Sequence, residues 1–206
     1  MLAYVFWHGP LEGADRASYE RAHHAFLRSL ARTPPVGLLA SAAFRVARAP
    51  WLADAPEPLF EDWYLVEDYA ALGVLNEAAV GRGHQSTHDE VARRYGGGAG
   101  ALYGLIEGEA GARALASSTL AVWISRPPGG GPGSRRRGLD ELLGDGMDAR
   151  AASLWRRQLV LGPAPEFCLL ASEEPAGVAA SRLPRGWSAT TLAREALGEP
   201  RDLGDG

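Results

Sequence analysis

The chain has 206 residues, of which 46% are hydrophobic and 22% are charged, and its formal net charge is -4 at pH 7. These values are ordinary for a globular protein, and the acidic excess argues against broad binding to nucleic acid or to an anionic membrane surface. The single cysteine, Cys168, excludes an internal disulfide framework and a cysteine-based zinc site. All 21 basic residues are arginine, a compositional bias that makes arginine clusters weak evidence for a function.

No apolar run approaches the ~20 residues that span a bilayer. The hydrophobic start at residues 1–7 lacks the basic segment and the small-residue cleavage site of a signal peptide. The sequence therefore predicts a soluble, cytoplasmic protein with neither a membrane nor a nucleic acid as partner.

The first half, residues 1–110, alternates strand patterns with helix patterns. Runs of aliphatic and aromatic residues predict strands, and apolar residues spaced three and four apart predict helices. Asp68 is a good cap for the second helix, and the spacing of Thr87 and Glu90 predicts a capping box for a short third one, which the glycines at 96–98 end. The predicted order is a strand at 2–8, a helix at 15–32, strands at 38–47 and 60–67, helices at 68–80 and from 86 or 87 to 95, and a strand at 101–108.

The second half, residues 117–206, can be interpreted in the same way, although its helices are poorer. Its glycine- and proline-rich stretch has the composition of a flexible linker. The predicted order is a strand at 119–125, a linker at 127–137, a short helix at 139–143, a hairpin of strands at 152–161 and 166–172, a helix near 176–182 and a strand at 187–194.

The order strand, helix, strand, strand, helix, strand is the ferredoxin-like βαββαβ arrangement. Two such units in one chain resemble the dimeric α/β-barrel superfamily, which implies an α+β fold of two tandem units whose antiparallel sheets pack into one barrel with helices outside. The stretch SYERAHHAFLRSL at residues 18–30 resembles the helix signature of the EthD-like branch, in which a helix histidine faces the sheet. Members include cofactor-free monooxygenases, isomerases, lyases and haem-binding chlorite-dismutase-like enzymes, so the resemblance implies a fold and not a reaction.

Two polar residues are expected on inward helix faces. A helical wheel places His23 on the apolar face of the first helix and Asn76, the only asparagine, on that of the second. Both could point into one helix–sheet cavity, where a neutral imidazole would accept a proton and an amide would hold an enolate or carbonyl oxygen. The strand residues expected to line this cavity and contact the substrate are Tyr4, Phe6, Trp63 and Tyr64.

The alternative is a purely structural role for both residues. His23 could be a buried histidine satisfied by a backbone carbonyl or a water, and Asn76 could bond a neighbouring loop. A cavity that reaches His23 beside a second polar group would favour a cofactor-independent enzyme, oxygenase- or isomerase-like. A filled layer would favour a non-catalytic ligand-binding or structural barrel, and a monomer and a homodimer fit either hypothesis.

The sequence predicts no metal and no cofactor. His84 and His88 are four residues apart, but a helix that begins between them need not place them on one face. Chlorite-dismutase-like enzymes carry their axial histidine in the second unit, whereas no histidine follows His88 here, which argues against haem. Arg135, Arg136 and Arg137 are expected in a solvated loop, and Cys168 is expected to be a small buried hydrophobe.

Overall fold

The computed structural model describes residues 1–52, 59–81, 83–127, 152–160, 165–175, 178, 183–198 and 201–203. Within these ranges the chain forms ten strands and four helices. The strands are β1 (Leu2–Pro10), β2 (Leu38–Val46), β3 (Leu59–Val66), β4 (Tyr95–Gly108), β5 (Leu120–Ser125), β6 (Ser153–Val160), β7 (Phe167–Ala171), β8 (Ser188–Ala193), β9 (Glu195–Ala196) and β10 (Arg201–Asp202); the helices are α1 (Arg16–Arg32), α2 (Tyr69–Val80), α3 (Gln85–Ala92) and α4 (Ala112–Ser117).

The strands form one antiparallel sheet that nearly closes into a barrel. Its order is β10-β2-β3-β1-β4-β6-β7-β5-β8, and β9 pairs with β2. β8 pairs with β5, whereas β9, which follows β8 after only Arg194, pairs with β2. The segment from β8 to β9 therefore connects the two ends of the strand order. The expected α+β class and barrel are confirmed at this level.

The sheet encloses an apolar core to which both halves of the chain contribute. Alternate residues of each strand point to the same face, so Trp7 and Trp63 from the first half meet Trp123 and Trp155 from the second. Trp7 and Trp123 have ring centroids 4.9 Å apart in an edge-on arrangement. Helix α4, which the sequence patterns did not predict, adds Ala112 and Leu115 to this central core.

The opposite face of β1 and β3 carries a different set of side chains. The even-numbered residues of these strands face α1, whose Phe26 and Leu30 pack with Tyr64 in a second apolar cluster. The helix starts where Asp15 accepts hydrogen bonds from the backbone amides of residues 17 and 18. No helix among the described residues is long and apolar enough to cross a membrane.

Two predicted boundaries are wrong. β4 begins at Tyr95, so the glycines at 96–98 belong to a strand and do not end a helix. The predicted capping box is also absent, because the Thr87 hydroxyl donates to the backbone carbonyl of His84, and α3 starts at Gln85. The predicted helix at 139–143 and Arg135–Arg137 lie outside the described residues, as do nearly all of the predicted linker at 127–137 and helix at 176–182.

Candidate functional site

A cavity of about 690 Å³ lies between the sheet and helices α1, α2 and α3. Its walls are mainly aromatic and aliphatic, and Asp62 is the only acidic or arginine residue among the described residues that line it. The lining residues are contributed by β1 (Tyr4, Phe6, His8), α1 (Tyr19, His23, Phe26), β3 (Asp62, Tyr64), α2 (Tyr69, Leu72, Gly73, Leu75, Asn76, Ala79, Val80), α3 (His88, Val91, Ala92) and β4 (Tyr95).

At the buried side of this cavity, the Asp62 carboxylate binds His23. Nε2 of His23 lies 2.7 Å from Oδ2 of Asp62, and both side chains are at most 2% exposed. The Tyr64 hydroxyl donates to the same oxygen over 2.8 Å. An ionised carboxylate only accepts, so Nε2 carries the hydrogen, and Nδ1 of His23 has no hydrogen-bond partner among the described residues.

A second histidine approaches the same carboxylate from β1. Nε2 of His8 lies 3.2 Å from Oδ2 of Asp62 but without hydrogen-bond geometry, while its Nδ1 lies 2.5 Å from the Tyr19 hydroxyl. The His8 and His23 rings meet edge to face with centroids 4.9 Å apart. One buried carboxylate therefore faces two imidazoles.

Burial and charge act in opposite directions in this cluster. Burial alone would raise the pKa of Asp62, but the neighbouring His23 and His8 bring that pKa below its usual value. For His8, burial lowers the pKa, Asp62 opposes the shift, and His23 adds to it. The Asp62 carboxylate is therefore ionised at neutral pH, and the imidazolium form of His8 is disfavoured.

Tyrosine hydroxyls supply the remaining polar atoms of the cavity. Burial, with a contribution from Asp62, raises the pKa of Tyr4 to about 12, and the same causes raise the pKa of Tyr19 and of Tyr64. All three stay protonated at neutral pH and can act as donors. The hydroxyls of Tyr19 and Tyr64 already have partners, whereas that of Tyr4 has none among the described residues.

The structure brings together most of the residues predicted from sequence. Tyr4, Phe6 and Tyr64 line the cavity with His23. Asn76 also lines it but is exposed on α2.

The expectation for Trp63 is wrong. Its side chain lies in the central core, on the other face of β3, and its indole donates to Glu61 over 2.8 Å. Adjacent strand residues point to opposite faces, so Trp63 and Tyr64 could not both line one cavity.

The sequence interpretation missed His8, Tyr19 and Asp62 as members of the polar cluster that contains His23. One signal was available: β3 is apolar and aromatic apart from the adjacent acids Glu61 and Asp62, and in a strand buried on both faces each acid needs a partner. Glu61 has Trp7, Trp63 and Arg194 in the central core. Asp62 points to the other face of β3, so its partners must lie between the sheet and the helices.

Among the described residues, His8, His23 and Asp62 could also hold a metal ion, because each offers a ligand atom and these atoms lie within 4.8 Å of one another. The pair His84 and His88 does not form such a site. Nδ1 of His84 lies 2.7 Å from the Ser29 hydroxyl, and its Nε2 donates to the backbone carbonyl of residue 33 over 3.0 Å. His84 thus ties the start of α3 to the end of α1.

No protein-family model and no curated protein matches the sequence. A solved structure of an anthrone oxidase-like protein matches with a TM-score of 0.56, covering 99% of this chain and 94% of that one at 9% sequence identity. At this identity the likeness concerns the fold alone. It agrees with an α+β protein built on a nearly closed antiparallel sheet.

Proposed function

We propose that this chain is a cofactor-independent small-molecule enzyme, oxygenase- or isomerase-like, that removes a proton from an activated carbon of an uncharged ring compound. The observation that carries the proposal is the buried hydrogen bond from His23 to Asp62, which leaves Nδ1 of the imidazole with a free lone pair in a residue that lines the cavity. The same division of labour orients and activates histidine bases in other enzymes.

The walls of the cavity favour an uncharged substrate with flat rings. Tyr4, Phe6 and His8 form a row of stacked rings with centroids 5.1 to 6.1 Å apart, which Tyr95 extends. No described lining residue is an arginine, the chain has no lysine, and the buried charge is a carboxylate. An anionic substrate would therefore lose its water without gaining a cationic partner.

The reaction begins with transfer of a carbon-bound proton to Nδ1 of His23. Asp62 stabilises the imidazolium that forms. The Tyr4 hydroxyl donates to the ketone oxygen, which carries the negative charge of the enolate. In an isomerase-like reaction His23 returns the proton to another carbon. In an oxygenase-like reaction the enolate gives its electrons to O₂, so that a CH₂ group and O₂ become a carbonyl and water.

The name of the neighbouring structure, an anthrone oxidase-like protein, points in the same direction. Anthrone is an uncharged three-ring ketone with an activated CH₂ group, which is the substrate chemistry that this cavity favours.

We propose that residues 1–110 and 117–206 form two ferredoxin-like units. The matching strand orders β2-β3-β1-β4 and β6-β7-β5-β8 support this interpretation.

The test is exchange of carbon-bound hydrogen with solvent. Anthrone and 2-tetralone are incubated with the full chain in D₂O, with and without O₂, and deuterium uptake and O₂ consumption are measured. We expect deuterium uptake above the buffer rate without O₂, and O₂ consumption will separate an oxygenase-like from an isomerase-like reaction. Binding of both ketones without exchange would instead favour a ligand-binding barrel.

A further inference from the structure

The polar cluster contains more polar atoms than its own hydrogen bonds use. Nε2 of His8 is buried and lacks hydrogen-bond geometry to any described residue, and Oδ1 of Asp62 has no partner either. Leaving buried polar atoms unpaired is costly, so these atoms point to a ligand that the protein itself does not supply.

We propose that His8, His23 and Asp62 form a binding site for a divalent transition metal ion of the zinc class, and that the bound ion switches off proton transfer by His23. Two imidazole nitrogens and one carboxylate oxygen are the donor set that such ions take, with a further position left for water or substrate. No other group of three such ligands occurs among the described residues.

Two of the three donor spacings are close to those of a bound site, and all three ligand atoms lie within 4.8 Å of one another. Bonds of about 2.0 to 2.1 Å in tetrahedral geometry place ligand atoms about 3.3 Å apart. Oδ2 of Asp62 lies 3.2 Å from Nε2 of His8, which already fits, and 2.7 Å from Nε2 of His23, which must widen by a few tenths of an ångström.

The ligands also have the outer partners that metal sites use to hold them. Tyr19 contacts the other ring nitrogen of His8 over 2.5 Å, and Tyr64 donates to the carboxylate of Asp62. With a metal on Nε2, His8 would carry its hydrogen on Nδ1 and donate it to the Tyr19 oxygen. The contact between Tyr19 and His8 can therefore be kept both with and without the metal ion.

The switch follows from the two nitrogens of His23 and rests on the proposed function. In the metal-free form Nε2 carries the hydrogen and Nδ1 the lone pair. A metal on Nε2 displaces that hydrogen, and the neutral imidazole then carries its hydrogen on Nδ1. The atom that would accept the substrate proton is no longer a base.

Binding is tested without any substrate. The full chain, free of a polyhistidine tag and stripped of metal, is titrated with Co²⁺, whose visible absorption bands report the ligands, and Zn²⁺ is measured by competition. We expect one ion per chain. His8→Gln and Asp62→Asn should each weaken affinity at least about 100-fold, and Tyr19→Phe about 10-fold, since outer partners alone contribute 10- to 100-fold.

The matched control is His88→Gln, which removes a histidine of the same cavity outside the metal-ligating group and should leave affinity unchanged. Circular dichroism checks that each variant is folded. If Asp62→Asn does not fold, Tyr19→Phe and His8→Gln still test the site. Absence of Co²⁺ bands, or equal affinity in the wild type, His8→Gln and Tyr19→Phe, would overturn the site.

Two further measurements test the inhibitory switch. Nitrogen-15 spectra of labelled histidines should show the hydrogen of His23 on Nε2 without metal and on Nδ1 with Zn²⁺, whether or not a substrate is known. In the exchange assay Zn²⁺ should stop deuterium uptake, a chelator should restore it, and His8→Gln should be less sensitive. If Zn²⁺ instead accelerates exchange, the inhibitory switch is wrong; if no ketone exchanges, the proposed function fails while the binding data still decide the site.

Discussion

At the scale of single residues, two adjacent acids serve the two faces of β3. Glu61 lies in the central core, where the indoles of Trp7 and Trp63 donate to it over 3.0 and 2.8 Å. Asp62 faces the opposite way and orients His23. Because strand residues alternate, one dipeptide anchors the core and the site together.

Tyr4 is the residue for which a catalytic and a structural role are most easily separated. Its hydroxyl has no partner among the described residues, so Tyr4→Phe should leave the free energy of unfolding within about 0.5 kcal/mol of the wild type. It should slow exchange about 100-fold, the usual loss for one donor to a developing oxyanion. Urea unfolding and initial exchange rates check the two halves of this prediction; unchanged exchange would remove Tyr4 from the reaction.

The sequence was sufficient to predict that His23 faces the sheet, because the apolar stripe of α1 is well defined on either side of it. It was insufficient for Asp62, whose contact with His23 joins positions 39 apart along the chain. For Asn76 the pattern was less informative: α2 is apolar on most of its surface, so its inward face is poorly defined, and Asn76 lines the cavity but lies exposed.

At the scale of elements, Arg194 closes the sheet. It stands between β8 and β9, and its Nε lies 3.0 Å from the Glu61 carboxylate of β3, with both side chains fully buried. Its guanidinium also lies 3.4 Å from the centre of the Phe44 ring on β2 and donates to the backbone carbonyl of Ser118. The last strands are thereby fastened to the first.

We expect Arg194→Met to lower the free energy of unfolding by about 3 to 5 kcal/mol, because it leaves the Glu61 carboxylate buried without its ion-pair partner. Arg113→Met, on the exposed side of α4, is the matched control and should change it by at most about 0.5 kcal/mol. Equal urea midpoints for both variants would mean that the buried ion pair does not hold the closure.

The glycines at 96–98 lie in β4 and not at the end of a helix, because this strand and β1 come unusually close together. Glycines commonly end helices, but here β4 passes so close to β1 that a Cβ at Gly98 would lie 2.1 Å from the carbonyl oxygen of Trp7. A Cβ at Gly100 would likewise meet the Tyr4 hydroxyl at 2.7 Å. Such approaches between strands are not visible in a local pattern.

At the scale of the whole molecule, the two halves share one core. The ring centroids of Trp63 and Trp155 are 5.6 Å apart, and those of Trp7 and Trp123 are 4.9 Å apart. Residues 1–110 and 117–206 therefore cannot be independent in their packing. The cavity belongs to the first half, while the second half covers the other face of its sheet.

A fragment of residues 1–110 should accordingly be unstable or should self-associate, because its half of the central core would lie open to water. Sedimentation and heteronuclear NMR of the fragment check this expectation. A monodisperse, well-folded monomer would contradict the shared core.

Cys168 reports whether that core stays closed. Its side chain is fully buried, and burial, with a contribution from Glu61, raises the pKa of the thiol well above its usual value. An aromatic disulfide reagent at pH 8 should therefore modify the folded chain only as fast as it opens, and should titrate one thiol per chain in guanidinium. Rapid reaction of the native protein would show that the core is accessible.

The central claim is that the His23–Asp62 pair accepts a proton from a ring compound in the cavity, and anaerobic deuterium exchange into a bound ring ketone tests it most directly. His23→Gln should abolish exchange and Asp62→Asn should reduce it at least about 100-fold, with ketone binding retained. His24→Gln, which changes the neighbouring histidine of α1 outside the cavity lining, should exchange at the wild-type rate. Exchange that persists in His23→Gln, or is lost equally in His24→Gln, would contradict the proposed function.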